Sequence, residues 1–153
     1  MVGENSIDIR LAPRELEVQI KRLLVECELP DEDFPLHLEH FHVALKDGSL
    51  VGTVGLEIYQ RVGLLRSLAV ARPYRNHGHA RRLYAAAELH ARKHGIDVLY
   101  LLTNTASEYF AKLGFVSVER ASVPNEIKAT QEFAIFCPAT ATCMMKHIRG
   151  DMQ

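Results

Sequence analysis

With 153 residues, 48% hydrophobic and 24% charged, the chain has the composition of a globular domain able to bury a core. A net charge of −1 and a pI near 6.7 give no electrostatic support to general nucleic-acid binding. No apolar run approaches the roughly 20 residues of a membrane span, the start MVGENSIDIR lacks the basic and apolar regions of a secretory signal, and three widely spaced cysteines suggest no disulfide framework. A reducing cytoplasm is the expected location.

Ile7, Ile9 and Leu11 alternate in SIDIRLA and predict a short strand. Pro13 suits a first helical position. Leu16, Ile20, Leu23, Leu24 and Cys27 share one helical face, so the spacing predicts an amphipathic helix over 14–28. Residues 29–40 read as an acidic loop holding Pro30 and Pro35. A hairpin follows: Phe41, Val43 and Leu45 alternate, Asp47-Gly48 signals the turn, and Val54, Leu56 and Ile58 alternate after it. VGLLRSLAV is nearly all apolar, as expected of a strand buried on both faces. A helix over 79–94 ends at Gly95, VLYLLT (98–103) is a second buried strand, and a short helix over 105–113 stops at Gly114. FVSVERA reads as a strand, PNEIKATQEF as a short helix or irregular cap, and TCMMKHI as a last strand.

This order is that of an α/β protein with a mixed sheet. The early hairpins should be antiparallel, and the two strands around the 79–94 helix parallel, because a helical crossover joins them. No repeat, low-complexity tract or linker interrupts the chain, so a single domain over 1–153 is expected.

The stretch RPYRNHGHARRL, Arg72 to Leu83, carries the strongest functional signal. Its histidines invite a metal reading, and His90 and His94 stand four apart on a predicted helix. But HExxH and CxxC are absent, no third ligand is evident, and histidines on an apolar face are commonly core residues. No metal is expected.

A phosphate reading fits better. A buried strand ends at Val70, a turn holds Gly78, and a helix begins near His79. The first amides of that helix have no intrahelical acceptor, and its dipole favours an anion. Gly78 lets the backbone bend and come close to a ligand. Between 72 and 94 stand six Lys/Arg (Arg72, Arg75, Arg81, Arg82, Arg92, Lys93) against one acid, Glu88. Neither GxxxxGK[ST] nor GxGxxG is present, so this is no P-loop and no dinucleotide fingerprint.

Arg75-Asn76-His77-Gly78-His79-Ala80 resembles R/Q-x-x-G-x-G/A, the acyl-CoA pyrophosphate loop of the GCN5-related N-acetyltransferases (GNAT). Leu68-Ala69-Val70 before it resembles that family's fourth strand, and the element order is similar along essentially the whole chain. The implied fold is a central, mixed, mostly antiparallel sheet flanked by helices. LLTNTASEYFAKLGF is similar to the L-T-x-T-A-x-x-F-x-x-x-G-F pattern of domains that acetylate the α-amino group of glutamate. With Arg120, Pro124, Ile127, Thr130, Glu132-Phe133, Cys137-Pro138 and Met145-Lys146, the chain resembles the arsenic-resistance N-acetyltransferases of bacterial arsenic operons. Those are associated with glutamate-like organoarsenical antibiotics such as arsinothricin.

The resemblance implies acetyl-CoA as cosubstrate, a small-molecule amine as acceptor, and a homodimer. It implies that the backbone of Leu68, Ala69 and Val70 pairs with the pantetheine arm, and that an amide near Leu68 or Ala69 polarises the thioester carbonyl. Asn76, His77, Gly78, His79, Ala80 and Arg81 would hold the pyrophosphate, with Arg81 or Arg82 meeting the remaining phosphate charge. The family's usual tyrosine proton donor is replaced by Phe110, which would line the coenzyme site. Tyr109 stands one residue earlier, about 100° around a helix, so the proton comes from Tyr109 or from water.

Read from the residues themselves, Glu57 is the candidate general base, against the alternative of a solvent-facing strand residue. His42 is a second candidate. Arg66 interrupts an apolar run and needs a partner. It is either a clamp for a substrate carboxylate or a salt bridge to a neighbouring strand, with Glu57 the natural mate. Arg120 is a further clamp candidate. Six acids between 26 and 39 (Glu26, Glu28, Asp31, Glu32, Asp33, Glu39) read as a solvated loop. Cys27, Cys137 and Cys143 lack the spacing of a thiolate site, and Cys27 reads as a packed thiol.

The expected activity is acetyl transfer to the α-amino group of a glutamate-like amino acid or antibiotic of the arsinothricin and phosphinothricin type. The alternatives are acetylation of glutamate itself and a non-catalytic acetyl-CoA sensor, the latter favoured by Phe110.

Overall fold

The computed structural model describes residues 7–136 and 140–149, and of Phe136 the backbone alone. Seven strands hydrogen-bond in the order β1-β2-β3-β4-β5-β7-β6. They are β1 (Asp8–Leu11), β2 (Phe41–Lys46), β3 (Ser49–Tyr59), β4 (Val62–Val70), β5 (Val98–Thr103), β6 (Val116–Ser117) and β7 (Thr142–His147). Four α-helices join them: α1 (Glu17–Glu26), α2 (His79–Lys93), α3 (Ser107–Lys112) and α4 (Asn125–Lys128). Among the described residues no helix is long and apolar enough to cross a membrane.

The chain forms two compact units, and β3 and β4 run through both. The first comprises the residues up to Leu56 together with Ser67–His90. Its strands β1, β2 and β3 are antiparallel, as the hairpin pattern predicts. Asp47 and Gly48 take φ of 50° and 82°, the mirror-image turn that matches strand twist. A bulge between Ala44 and Leu45 shifts the register beside that turn. Ile20, Leu23 and Leu24 of α1 bury one helical face against Phe34, Phe41 and Val43. Gly55 is required by packing: a Cβ there would lie 2.3 Å from the Phe41 ring.

The acidic segment departs from expectation. Phe34–His40 is a 3-10 helix, not a loop, with Phe34 and Leu38 buried in the core. Asp33 is buried as well, and Asp31 accepts a hydrogen bond from Lys21 at 2.7 Å. Two apolar side chains in reach of the α1 face outweigh the charge of the segment, because each gains roughly 1.5–3 kcal/mol on burial.

The second unit comprises Glu57–Arg66 and the residues from Ala91 onward. Here β4 pairs with β5 in parallel, at Val62–Leu64 against Val98–Tyr100. The crossover helix imposes this direction, as expected. β7 is antiparallel to both β5 and β6. β6 is far shorter than the FVSVERA pattern predicts, because Arg120–Ser122 form a 3-10 turn and Val116 is exposed. PNEIKATQEF resolves into α4 followed by a π-helical turn, Glu132–Phe136. Leu64, Tyr100, Val123, Ile127, Phe133 and Cys143 form the core of this unit.

Candidate functional site

In the first unit, the end of β4 leads into α2 through an exposed loop. Ser67 holds φ of 58° in mid-strand, just before Leu68, Ala69 and Val70. Leu68 is half-buried, and Ala69 and Val70 are buried. The Ala71 amide donates to the Val51 carbonyl at 2.8 Å and a 3-10 turn spans Arg72–Tyr74. Arg75 then fastens the loop from inside: its Nε donates to the Val70 carbonyl at 2.8 Å and its Nη2 lies 3.5 Å from Cys27 Sγ. Arg75 is therefore a brace for the strand end as well as a loop cation.

Asn76 and Gly78 take φ of 69° and 81°. Left-handed residues alternating with ordinary ones turn successive N–H groups toward one side, which is the geometry of an anion cradle. A Cβ at Gly78 would meet nothing within 4 Å, so glycine is needed there for its backbone angle. The Arg82 amide is bonded to the Gly78 carbonyl at 3.2 Å, which starts the helical ladder. The amides of His79, Ala80 and Arg81 precede it and have no intrahelical acceptor. Arg81 and Arg82 are exposed, and His79 is buried with its Nδ1 lacking a hydrogen-bond partner among the described residues. Amides without intrahelical acceptors, a helix dipole, cations and an unsatisfied imidazole nitrogen together fit a pyrophosphate.

Other histidines of this unit cluster apart from the loop. His40 Nδ1 lies 3.0 Å from His90 Nε2, and the His42 ring stands edge-on to His90 with centroids 5.3 Å apart. Burial pushes the His42 imidazole below its ordinary pKa. His90 is thus a half-buried histidine in contact with His40, but His94 is exposed, which departs from the shared apolar face expected of the pair.

In the second unit, the central feature is ionic. Arg66 Nη1 contacts Glu57 Oε2 at 2.6 Å and Arg66 Nε lies 3.3 Å from Glu132 Oε1. The Arg66 and Glu57 side chains are each 1% exposed. The solvent-facing alternative for Glu57 is therefore overturned, and the salt-bridge alternative for Arg66 is what the structure contains. The Tyr59 hydroxyl donates to Glu57 as well. Arg120 lies over the Phe133 ring at 5.4 Å and its Nη2 reaches the Ala141 carbonyl at 3.5 Å. Burying two carboxylates around one guanidinium costs solvation of each ion, and only close, multiple contacts offset it.

Glu132 and Tyr59 carry no role on sequence reasoning. Alternation along β3 places Glu57 and Tyr59 on one face, which could have found Tyr59. Glu132 arrives from a non-repetitive turn and leaves no periodic signal. Phe110 is buried, with its ring 5.8 Å from Phe115, whereas Tyr109 is 37% exposed. Cys143 is buried and burial pushes its thiol upward in pKa. Cys27 is half-buried, and Cys137 and Pro138 lie outside the described residues.

The sequence model of the acetyltransferase (GNAT) family matches residues 11–115, which run through both units. An uncharacterised N-acetyltransferase of Chlorobaculum tepidum is 30% identical over 92 residues, 60% of this chain and 59% of its own. The match thus spans less than two thirds of that relative. The YwlB protein of Bacillus subtilis is 30% identical over 105 residues, 67% of this chain and 69% of its own. N-acetylglutamate synthase of Neisseria gonorrhoeae, solved with coenzyme A and L-arginine, superposes with a TM-score of 0.80 at 23% identity, over 94% of this chain and 33% of that one. Rv2747 of Mycobacterium tuberculosis, solved in complex with CoA, gives 0.79 at 20% identity, over 92% and 98%. At these identities the structures establish the fold.

Proposed function

We propose that this chain, which belongs to the acetyltransferase (GNAT) family, transfers an acetyl group from acetyl-CoA to the α-amino group of a glutamate-like amino acid or antibiotic. The observation that carries the acyl-CoA part is the loop before α2, with left-handed Asn76 and Gly78, open amides over 79–81 and exposed arginines. Leu68, Ala69 and Val70 would pair with the pantetheine arm, and Phe110 would line the coenzyme site. The two units would act as one acetyltransferase domain.

The amine must lose a proton before it attacks the thioester carbonyl. Glu57 would accept it, directly or through water, held in place by Arg66 and by the Tyr59 hydroxyl. The neutral nitrogen then bonds to the carbonyl carbon and gives up a second proton to water as the adduct collapses, the carbon–sulfur bond breaks, and the thiolate leaves. Tyr109 or water would return a proton to it. A substrate carboxylate would be met by Arg120, and by Arg66 if Glu132 withdraws from it.

The similarity of LLTNTASEYFAKLGF to glutamate-acetylating domains supports an amino-acid acceptor. The likeness to arsenic-resistance acetyltransferases supports arsinothricin and phosphinothricin, hence a detoxifying role. That resemblance also carries the homodimer in this proposal, and the cysteine usage carries the cytoplasmic location. The test is acetyl-CoA-dependent thiol release with arsinothricin, phosphinothricin and L-glutamate at matched concentrations. Preference for the first two is the expected result, and preference for glutamate would move the protein to amino-acid metabolism. Release with none of the three would sink the substrate class.

A second reading is a sensor that binds acetyl-CoA without turnover, favoured by the apolar Phe110 buried against Phe115. Single-turnover transfer to any amine would eliminate it.

A further inference from the structure

We infer that coenzyme binding at the loop before α2 is coupled to protonation of His79, which makes this side chain a proton-linked phosphate-binding residue. The inference rests on the acyl-CoA reading of that loop. His79 is the first residue of a fifteen-residue helix, directly after the left-handed Gly78. Its side chain is buried, at 4% exposure, and its Nδ1 has no hydrogen-bond partner among the described residues. A buried polar atom left unsatisfied is rare in folded proteins and calls for an explanation, and a group that binds there supplies one.

The charged neighbours all have one sign. His77 faces it from the loop, with ring centroids 5.9 Å apart, and Arg82 from α2 and Lys46 from β2 add positive charge. Burial first, and then these three groups, hold the His79 imidazole below its ordinary range. Without ligand it is therefore neutral at pH 7. The pyrophosphate of the coenzyme brings negative charge to the same helix end, which favours the imidazolium and gives an Nδ1–H donor an acceptor.

The balance is one proton taken from solvent onto His79 as the coenzyme binds. The sign follows from linkage. The imidazole pKa is low in the free protein and higher in the complex. Affinity therefore rises as pH falls through the complex's pKa, and levels off below the free protein's pKa. The slope is at most about tenfold per pH unit for one proton.

Calorimetry with dephospho-CoA provides the test. That analogue keeps the pyrophosphate and lacks the 3′-phosphate, which itself titrates near neutrality. Binding is measured at pH 7 in buffers of different ionisation enthalpy, in a His77→Gln background where His79 is the remaining histidine of the loop. Proton uptake, with binding about tenfold tighter at pH 6 than at pH 8, is expected. Adding His79→Gln should abolish both. Equal uptake with and without His79 would overturn the inference. If the double variant does not fold, NMR titration of the His79 ring with and without dephospho-CoA decides: its pKa must rise on binding, and an unchanged value overturns the proposal. Binding without His79-linked uptake removes this inference alone. No binding at any pH removes the acyl-CoA reading, and this inference with it.

Discussion

The loop before α2 and the ionic cluster around Arg66 solve opposite problems with the same kinds of atoms. The loop offers positive charge at an exposed surface and the first amides of a helix, which have no intrahelical acceptor. The cluster encloses a guanidinium between Glu57 and Glu132, away from water. In the loop, the backbone angles of Asn76 and Gly78 set the geometry, and His79 and Arg75 are the side chains that add to it. In the cluster, every atom depends on the identity of its partner, so any change of charge is expensive. On the proposed reading, the coenzyme site is written largely in backbone geometry, whereas the chemistry that would activate an acceptor needs particular side chains.

Mutations can sharpen that contrast. The largest effect should come from Glu57→Gln, which removes the proposed base: kcat should fall by about 10²- to 10⁴-fold while the KM for acetyl-CoA changes little. A kcat within threefold of wild type would remove Glu57 from the chemistry. Arg66→Ala leaves two carboxylates buried without their cation and should cost about 3–5 kcal/mol in urea unfolding. A loss below about 1 kcal/mol, the range of surface pairs, would mean that the cluster is well hydrated.

Gly55→Ala drives a methyl group into the Phe41 ring and should cost about 1–3 kcal/mol by overpacking. Gly78→Ala meets no neighbour, so it isolates the price of the left-handed backbone, about 1–2 kcal/mol. Its readout is the KM for acetyl-CoA, expected to rise about tenfold with kcat retained. A larger effect of Gly78→Ala on kcat than on KM would break the assignment of this loop to the coenzyme.

The smallest effect concerns acid. Asp97 accepts from Arg61 at 2.7 Å and from Arg149 at 3.0 Å, and these hydrogen bonds hold its carboxyl below the usual range. A lowered pKa stabilises the fold above the unfolded value of 3.8, and that contribution fades as pH falls through the lower, folded value. Asp97→Asn should therefore be less stable than wild type near pH 6, with the difference closing below pH 4. A constant difference across that range would exclude ionisation as the cause.

Much of this architecture is legible from patterning. α1, the Asp47-Gly48 hairpin, β5 and β7 announce themselves because one physical period dominates each segment. The Phe34–His40 helix does not, because six acids obscure two apolar residues whose burial is decided by α1. The pyrophosphate-type loop is readable because glycine and helix-start chemistry are local. Glu57 with Arg66 is readable as a pair because a charge in an apolar run demands a mate. Glu132 is not, since its contact with Arg66 spans 66 positions and comes from a π-turn with no periodic signature. The meeting of His40, His42 and His90 is equally a product of tertiary packing.

The strand order β5-β7-β6 has a consequence for biosynthesis. β6 leaves the ribosome before β7, yet β7 is the strand with which both β5 and β6 pair. Until Thr142–His147 has been made, β5 presents an open edge carrying buried-type residues Leu99 and Leu101. Nascent chains halted before that point would offer a template for unwanted strand pairing. Synthesis and closure of this sheet are thus separated in time, and an arrested product should be a client for chaperones long before it resembles the finished fold.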